Sequence, residues 1–155
     1  MIRLFVIYIF LLSSCSSSST INKQTMIISQ DTITFETLAE DFYGGMTDSK
    51  FIVIKEETTL NEIYKLINKN KSPGIKIPII NFEKETVLVL FLGEKSSGGY
   101  SIAVEQILDE NEKVTVKYKV TLPKLGEMVT TVMTQPYCII KIPKTLKEVG
   151  FKKID

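Results

Sequence analysis

Histidine is absent from the 155-residue chain, and arginine occurs once, at Arg3. Without histidine there is no Ser-His-Asp or Cys-His arrangement for nucleophilic catalysis and no histidine-ligated metal site. Without arginine, no planar guanidinium is at hand to clamp a carboxylate or phosphate at two points, so anion contacts fall to lysines. Cysteine is scarce too, with only Cys15 and Cys138. The formal net charge is +1 and the basic residues are scattered, so nucleic acid is not an expected partner. Beyond the first dozen residues no apolar run is long enough to span a bilayer.

What the N-terminus does contain is a signal. Arg3 and the free amine precede an unbroken apolar run from Leu4 to Leu12, followed by Ser13, Ser14 and Cys15. That is the layout of a signal peptide, and it is too short to cross a membrane. The segment Leu12-Ser13-Ser14-Cys15 resembles a bacterial lipobox, in which the cysteine is diacylated and becomes the mature N-terminus. Two acyl chains anchor durably, since each buried methylene contributes about 0.8 kcal/mol and one chain alone is marginal. Ser16 to Gln24 is serine-rich, poor in apolar residues and aperiodic, which reads as a tether. Ser16 rather than aspartate follows Cys15, and by the sorting rule of bacteria with two membranes that points to the outer membrane. The expected organisation is therefore a signal peptide over residues 1–14, a lipidated cysteine and tether over 15–30, and one soluble domain over 31–155. With Cys15 acylated, Cys138 has no intrachain disulfide partner and reads as a small apolar core residue.

Within the domain the patterning predicts a strand and then a loop across Thr32 to Lys50, and a strand at Phe51-Ile52-Val53-Ile54. Thr59 with Glu62 matches a capping box, and Leu60, Ile63, Tyr64 and Ile67 recur at helical spacing up to Asn70 and the turn Ser72-Pro73-Gly74. Val87 to Leu92 is apolar on both alternating faces, as in a central strand covered on both sides. A glycine-containing loop at Gly93 to Gly99, strands at Tyr100 to Leu108 and Lys113 to Leu122, and short connections predict antiparallel hairpins. In the second of these strands Val114, Val116, Tyr118 and Val120 form the buried face. A looser stretch around Pro123, Lys124 and Gly126 leads through Pro136 to a buried strand at Tyr137-Cys138-Ile139-Ile140, and a last strand covers Val149 to Ile154. The fold class is α+β: a curved, mostly antiparallel sheet or a small barrel with one packed helix.

The segment most suited to function is Gly93-Glu94-Lys95-Ser96-Ser97-Gly98-Gly99-Tyr100, where three glycines and small residues let the backbone approach a partner closely. The same glycines also serve a plain hairpin turn by supplying positive φ. It lacks the glycine-lysine-serine ending of a phosphate-binding loop, and a strand rather than a helix follows it. The candidate partner-binding residues are Ser96, Ser97, Gly98, Gly99 and Tyr100. Tyr100 is either an aromatic anchor or a core residue sharing a face with Ile102 and Val104. Lys95 beside Ser96 and Ser97 is the one pair that could support a serine-lysine mechanism, but such pairs in loops are usually only solvated.

The run from Val87 to Ile102, with Asn81-Phe82 ahead of it and Gln135-Pro136-Tyr137-Cys138-Ile139-Ile140-Lys141-Ile142-Pro143 behind, resembles the C-terminal domain of the protease complex subunit PrcB family. Ser97 stands where that family usually has threonine before glycine-glycine-tyrosine. The resemblance implies a non-catalytic, lipid-anchored subunit that accompanies a secreted or surface protease, with no cofactor and a protein partner. The loop is also similar to the threonine-threonine-glycine-tyrosine loop of chagasin-type cysteine protease inhibitors, whose other two loops are not recognisable here. A structural envelope lipoprotein without a specific ligand is the third alternative, and the oligomeric state is not legible. Replacing Cys15 with serine is expected to abolish incorporation of labelled palmitate and to shift the chain out of the membrane fraction; retained label would contradict the lipobox.

Overall fold

The computed structural model describes residues 31–155, so the expected signal peptide, Cys15 and the expected tether lie outside the described residues. Eight strands and one helix follow in the order β1 (Asp31–Thr32), β2 (Glu36–Asp41), β3 (Lys50–Ile54), α1 (Glu57–Ile67), β4 (Glu85–Phe91), β5 (Ser101–Asp109), β6 (Lys113–Thr121), β7 (Tyr137–Pro143) and β8 (Glu148–Ile154). They form two four-stranded sheets, ordered β2-β7-β4-β3 and β1-β5-β6-β8. All neighbours are antiparallel except β6 and β8. The α+β class is correct, and the choice it left open is settled: the sheets stay separate and do not close into a barrel. Among the described residues no helix is long and apolar enough to cross a membrane.

The two-faced apolar pattern of β4 explains the layering. Val87, Val89 and Phe91 pack with Leu60, Ile63, Tyr64 and Ile67 of α1. Leu88 and Leu90 face the other way, into a second core with Ile102, Val104, Ile107, Val114 and Val116 of the opposing sheet and Cys138, Ile140 and Ile142 of β7. The order is therefore helix, sheet, sheet. Cys138 sits between the sheets as expected of an apolar core residue, and burial pushes its thiol up to about 11.

Three local expectations are corrected. The capping box at Thr59 is not formed. The helix starts at Glu57 with Glu56 as N-cap, and Thr59 instead donates its hydroxyl to the Glu56 carboxylate at 3.0 Å. The four apolar residues of the stripe fix the face of a helix and not its first turn, which is why the cap was misplaced. Second, the single early strand is two strands, because the chain crosses between sheets at residues 33–35 and pairs first with β5 and then with β7. Third, the glycine segment after β4 is no hairpin: β4 and β5 belong to different sheets, and residues 92–100 cross from one to the other.

Strand directions give the domain two distinct ends. Phe91, Tyr137, Asp41 and Lys50 are in register at one end of their sheet, and Ser101 with Thr121 at the same end of the other. Loops 42–49, 92–100 and 122–136 gather there. At the opposite end lie the 110–112 and 144–147 turns and Asp31, where the chain arrives from its N-terminal segment and pairs with Asp109. Strands of seven to nine residues put the two ends about 23–30 Å apart.

Leu90 is fully buried between the sheets. Leu90→Ala is expected to lower stability by about 2–5 kcal/mol in denaturant unfolding, through lost burial and the cavity left behind.

Candidate functional site

The crossover 92–100 is held along most of its length by the end of the 122–136 loop. Lys95 and Thr134 exchange both backbone hydrogen bonds, at 2.7 and 2.9 Å, and the Leu92 amide donates to the Pro136 carbonyl at 2.9 Å. The Gly98 amide donates to the Thr130 carbonyl at 2.9 Å, and the buried Thr134 hydroxyl donates to the Ser97 carbonyl at 2.8 Å. Gln135 ties in the third loop: its amide donates to the Phe42 carbonyl at 2.7 Å, its carbonyl accepts from Gly44 at 2.8 Å, and its side chain donates to Glu94 at 2.8 Å. Three loops thus act as one braced surface.

The glycines serve that bracing. A Cβ at Gly98 would lie 2.5 Å from the Thr130 hydroxyl. Gly99 has φ +84°, and a Cβ there would lie 2.9 Å from both Pro123 and Val129. The close approach expected of this backbone is real, but it is made to the chain's own neighbouring loop. Of the five candidate residues, Ser96 and Gly99 are exposed and Ser97, Gly98 and Tyr100 are half-buried. The Ser97 hydroxyl donates to the Gly98 carbonyl at 3.1 Å. Tyr100 belongs to neither core cluster, whereas Ile102 and Val104 do. The structure therefore brings all five residues to the loop end of the domain.

Beside them lies a surface that reading the sequence did not single out. Leu122, Leu125, Met128, Val132 and Met133 are all exposed, with Leu125 and Met128 essentially free of contact, and Phe42 and Tyr43 are half exposed on the adjoining loop. These are seven of the ten large exposed hydrophobic residues among the described residues. Seven exposed apolar side chains are thus gathered at one end of the domain, an arrangement in keeping with a contact surface. The available signal was a run of Leu, Met and Val interleaved with Pro, Lys and Gly, which has no strand or helix period and so reads as an ordinary loop.

Below the loop end an ion pair fastens the segment after α1 to the end of β2. Lys71 donates to Asp41 at 2.5 Å and to the Tyr137 hydroxyl at 3.4 Å, with its ammonium 5.2 Å from the centre of that ring. Burial raises the Asp41 pKa, but the hydrogen bonds from Lys71 and the Phe42 amide outweigh it and hold the carboxyl below its ordinary value. Burial pulls Lys71 down, while Asp41 and Tyr137 more than reverse that and leave it raised. Tyr64 is fully buried nearby and its hydroxyl has no hydrogen-bond partner; burial first, then Tyr137, pushes it up to about 12. A cleft of about 490 Å³ opens beside this pair, lined in part by Tyr43, Leu66 and Gln135. Among the described residues no group of three or more Cys, Asp and Glu side chains is arranged to hold a metal ion.

The class defined by this arrangement is a layered α+β domain that displays a braced apolar loop end. Residues 86–143, from Thr86 in β4 to the end of β7, match the family model described as PrcB C-terminal. The match contains the glycine crossover and the whole 122–136 loop. Comparison with curated proteins and with solved structures returns no match.

Gly99→Ala is expected to cost about 2–3 kcal/mol in denaturant unfolding, since strain at positive φ adds to the contacts with Pro123 and Val129. Gly126, at φ +82° with nothing within 4 Å of a Cβ, should cost only about 1 kcal/mol when changed to alanine. Tyr64→Phe removes the unpaired hydroxyl and is expected to be neutral or stabilising by about 1 kcal/mol. The Lys71–Asp41 pair stabilises the fold while Asp41 is ionised. Because that pKa is depressed, the contribution is fully present above the ordinary value of 3.8 and is lost as pH falls through the folded value below it. The stability gap between the parent and Lys71→Met should therefore be constant near neutrality and shrink only below about pH 4.

Proposed function

We propose that this chain is a lipid-anchored, non-catalytic subunit that engages an extracytoplasmic protease complex through its loop end. The carrying observation is that the family match, residues 86–143, encloses both the glycine crossover and the exposed apolar loop. The match to PrcB over residues 86–143 supports association with a protease complex. Ser96 to Tyr100 form the rim of that surface, and Leu125 and Met128, fully exposed, are the apolar residues a partner would bury. Burying two such side chains contributes about 1.5–3 kcal/mol each, enough for a few aromatic and apolar anchors to dominate affinity.

Topology supports the orientation. Asp31 enters at the end of the domain away from loops 92–100 and 122–136, so an anchor at Cys15 would attach at the far end and leave the loop end unobstructed. Lipidation, bacterial outer-membrane location and the choice of partner belong to this proposal.

The test is a crosslinking pull-down from native envelope that compares the parent with Leu125→Asp/Met128→Asp. Both positions are exposed, so the variant keeps the fold, whereas a bulky replacement at Gly99 would not. One protease or protease-associated protein captured by the parent and at least tenfold depleted with the variant is the expected result. Equal capture removes the loop end from the account and leaves an envelope lipoprotein without a ligand there. Stoichiometric loss of activity on titrating a papain-like or subtilisin-like protease would instead favour an inhibitor.

A further inference from the structure

Each sheet has two edge strands, and three of the four edges carry a feature that blocks pairing with another chain. β1 is only two residues long. β2 carries Glu36, Glu40 and Asp41 and a bulge between Thr37 and Ala39. β8 carries Glu148, Lys152 and Lys153. β3 is different: after Lys50 it reads Phe51-Ile52-Val53-Ile54, pairs only with β4, and has no backbone partner on its other side among the described residues. Phe51, Ile52 and Val53 remain half-buried there.

The free edge is longer than the strand. Glu56 is still extended, at φ −149° and ψ 154°, so the available edge runs from Lys50 to Glu56 and its midpoint is Val53. An antiparallel self-pair about that midpoint sets Val53 opposite Val53, Ile52 opposite Ile54 and Lys50 opposite Glu56, twice over by symmetry. Residues opposite one another in an antiparallel pair share a face. The apolar pair would then extend the helix-side core, where Ile52 and Ile54 already pack, and both terminal pairs would be of opposite charge. Phe51 falls opposite Lys55. Shifting the centre to Ile52 would oppose Glu56 to Asp48, a like-charge pair. The sequence is thus self-complementary about one centre and in one direction.

We propose that two copies of this chain pair antiparallel along Lys50–Glu56, joining their β2-β7-β4-β3 sheets into one eight-stranded sheet with a two-fold axis at Val53. A ladder of this length buries less than a standard interface, so the association is of the weak class, and confinement of the chains to a shared surface would raise their effective concentration. The pairing is independent of which protein the loop end engages.

Disulfide trapping tests it in the full chain in its native envelope, with copper phenanthroline as oxidant. Cα atoms of opposed residues lie about 4.5–5.5 Å apart, within disulfide reach. Positions 50 and 56 of one chain are about 20 Å apart along extended backbone and cannot bridge internally. Lys50→Cys/Glu56→Cys is expected to give a covalent dimer on a non-reducing gel at least tenfold above a Lys119→Cys control on the outer face of β6. Each single variant alone should stay monomeric, and the two co-expressed should form the mixed dimer. Continued protection of the buried Cys138 from an alkylating reagent verifies folding. Absence of the dimer, homodimers from a single variant, or a disulfide to a different protein would each overturn the proposal, the last in favour of a partner's strand on this edge.

Discussion

β4 is the strand both cores share. Val87, Val89 and Phe91 press against α1 while Leu88 and Leu90 press against the opposing sheet, and all five are fully buried. A strand with two apolar faces is stable only between two layers, so the helix on one side and the second sheet on the other are consequences of one seven-residue run. Its central place between β3 and β7 then sets the register of both neighbours. At its end the chain must leave for the other sheet, and the glycine crossover 92–100 begins.

That crossover brings the neighbouring loops of this end together. Gly93, at φ +78°, turns the chain where a Cβ would lie 2.8 Å from the Ser49 amide, and Gly98 and Gly99 then pass against Thr130, Pro123 and Val129. The glycines are spent on packing one loop against another. Thr134 and Gln135 fasten the end of the 122–136 loop to its neighbours, while Leu122, Leu125, Met128, Val132 and Met133 remain exposed along it.

Much of the fold was legible in the residues, and the reason is periodicity. The helical stripe from Leu60 to Ile67 and the doubly apolar β4 each encode their own burial and are as expected, while in β6 Val114 and Val116 are buried as expected, Tyr118 and Val120 only partly, and Thr115 of the other face is buried too. What could not be read is what periodicity does not carry. Which sheet a strand joins depends on long-range pairing, so the crossover after β4 looked like a hairpin. A helix start depends on one or two local hydrogen bonds, so Thr59 took the place that Glu56 holds. The five candidate residues do gather at the loop end, because glycine clusters mark tight backbone. The apolar side chains beside them went unnoticed because an aperiodic loop gives no hint of whether its leucines face in or out.

In the proposed function the loop end, and not the end where Asp31 enters, meets the partner. Leu125 and Leu146 are both exposed leucines, and they lie at opposite ends of the domain. A photoreactive benzophenone side chain placed at one or the other in the full chain, irradiated in its native cells, compares the two ends directly. A discrete protein adduct from position 125 and none from 146 is the expected result; adducts from 146 alone, or equally from both, would contradict a partner at the loop end.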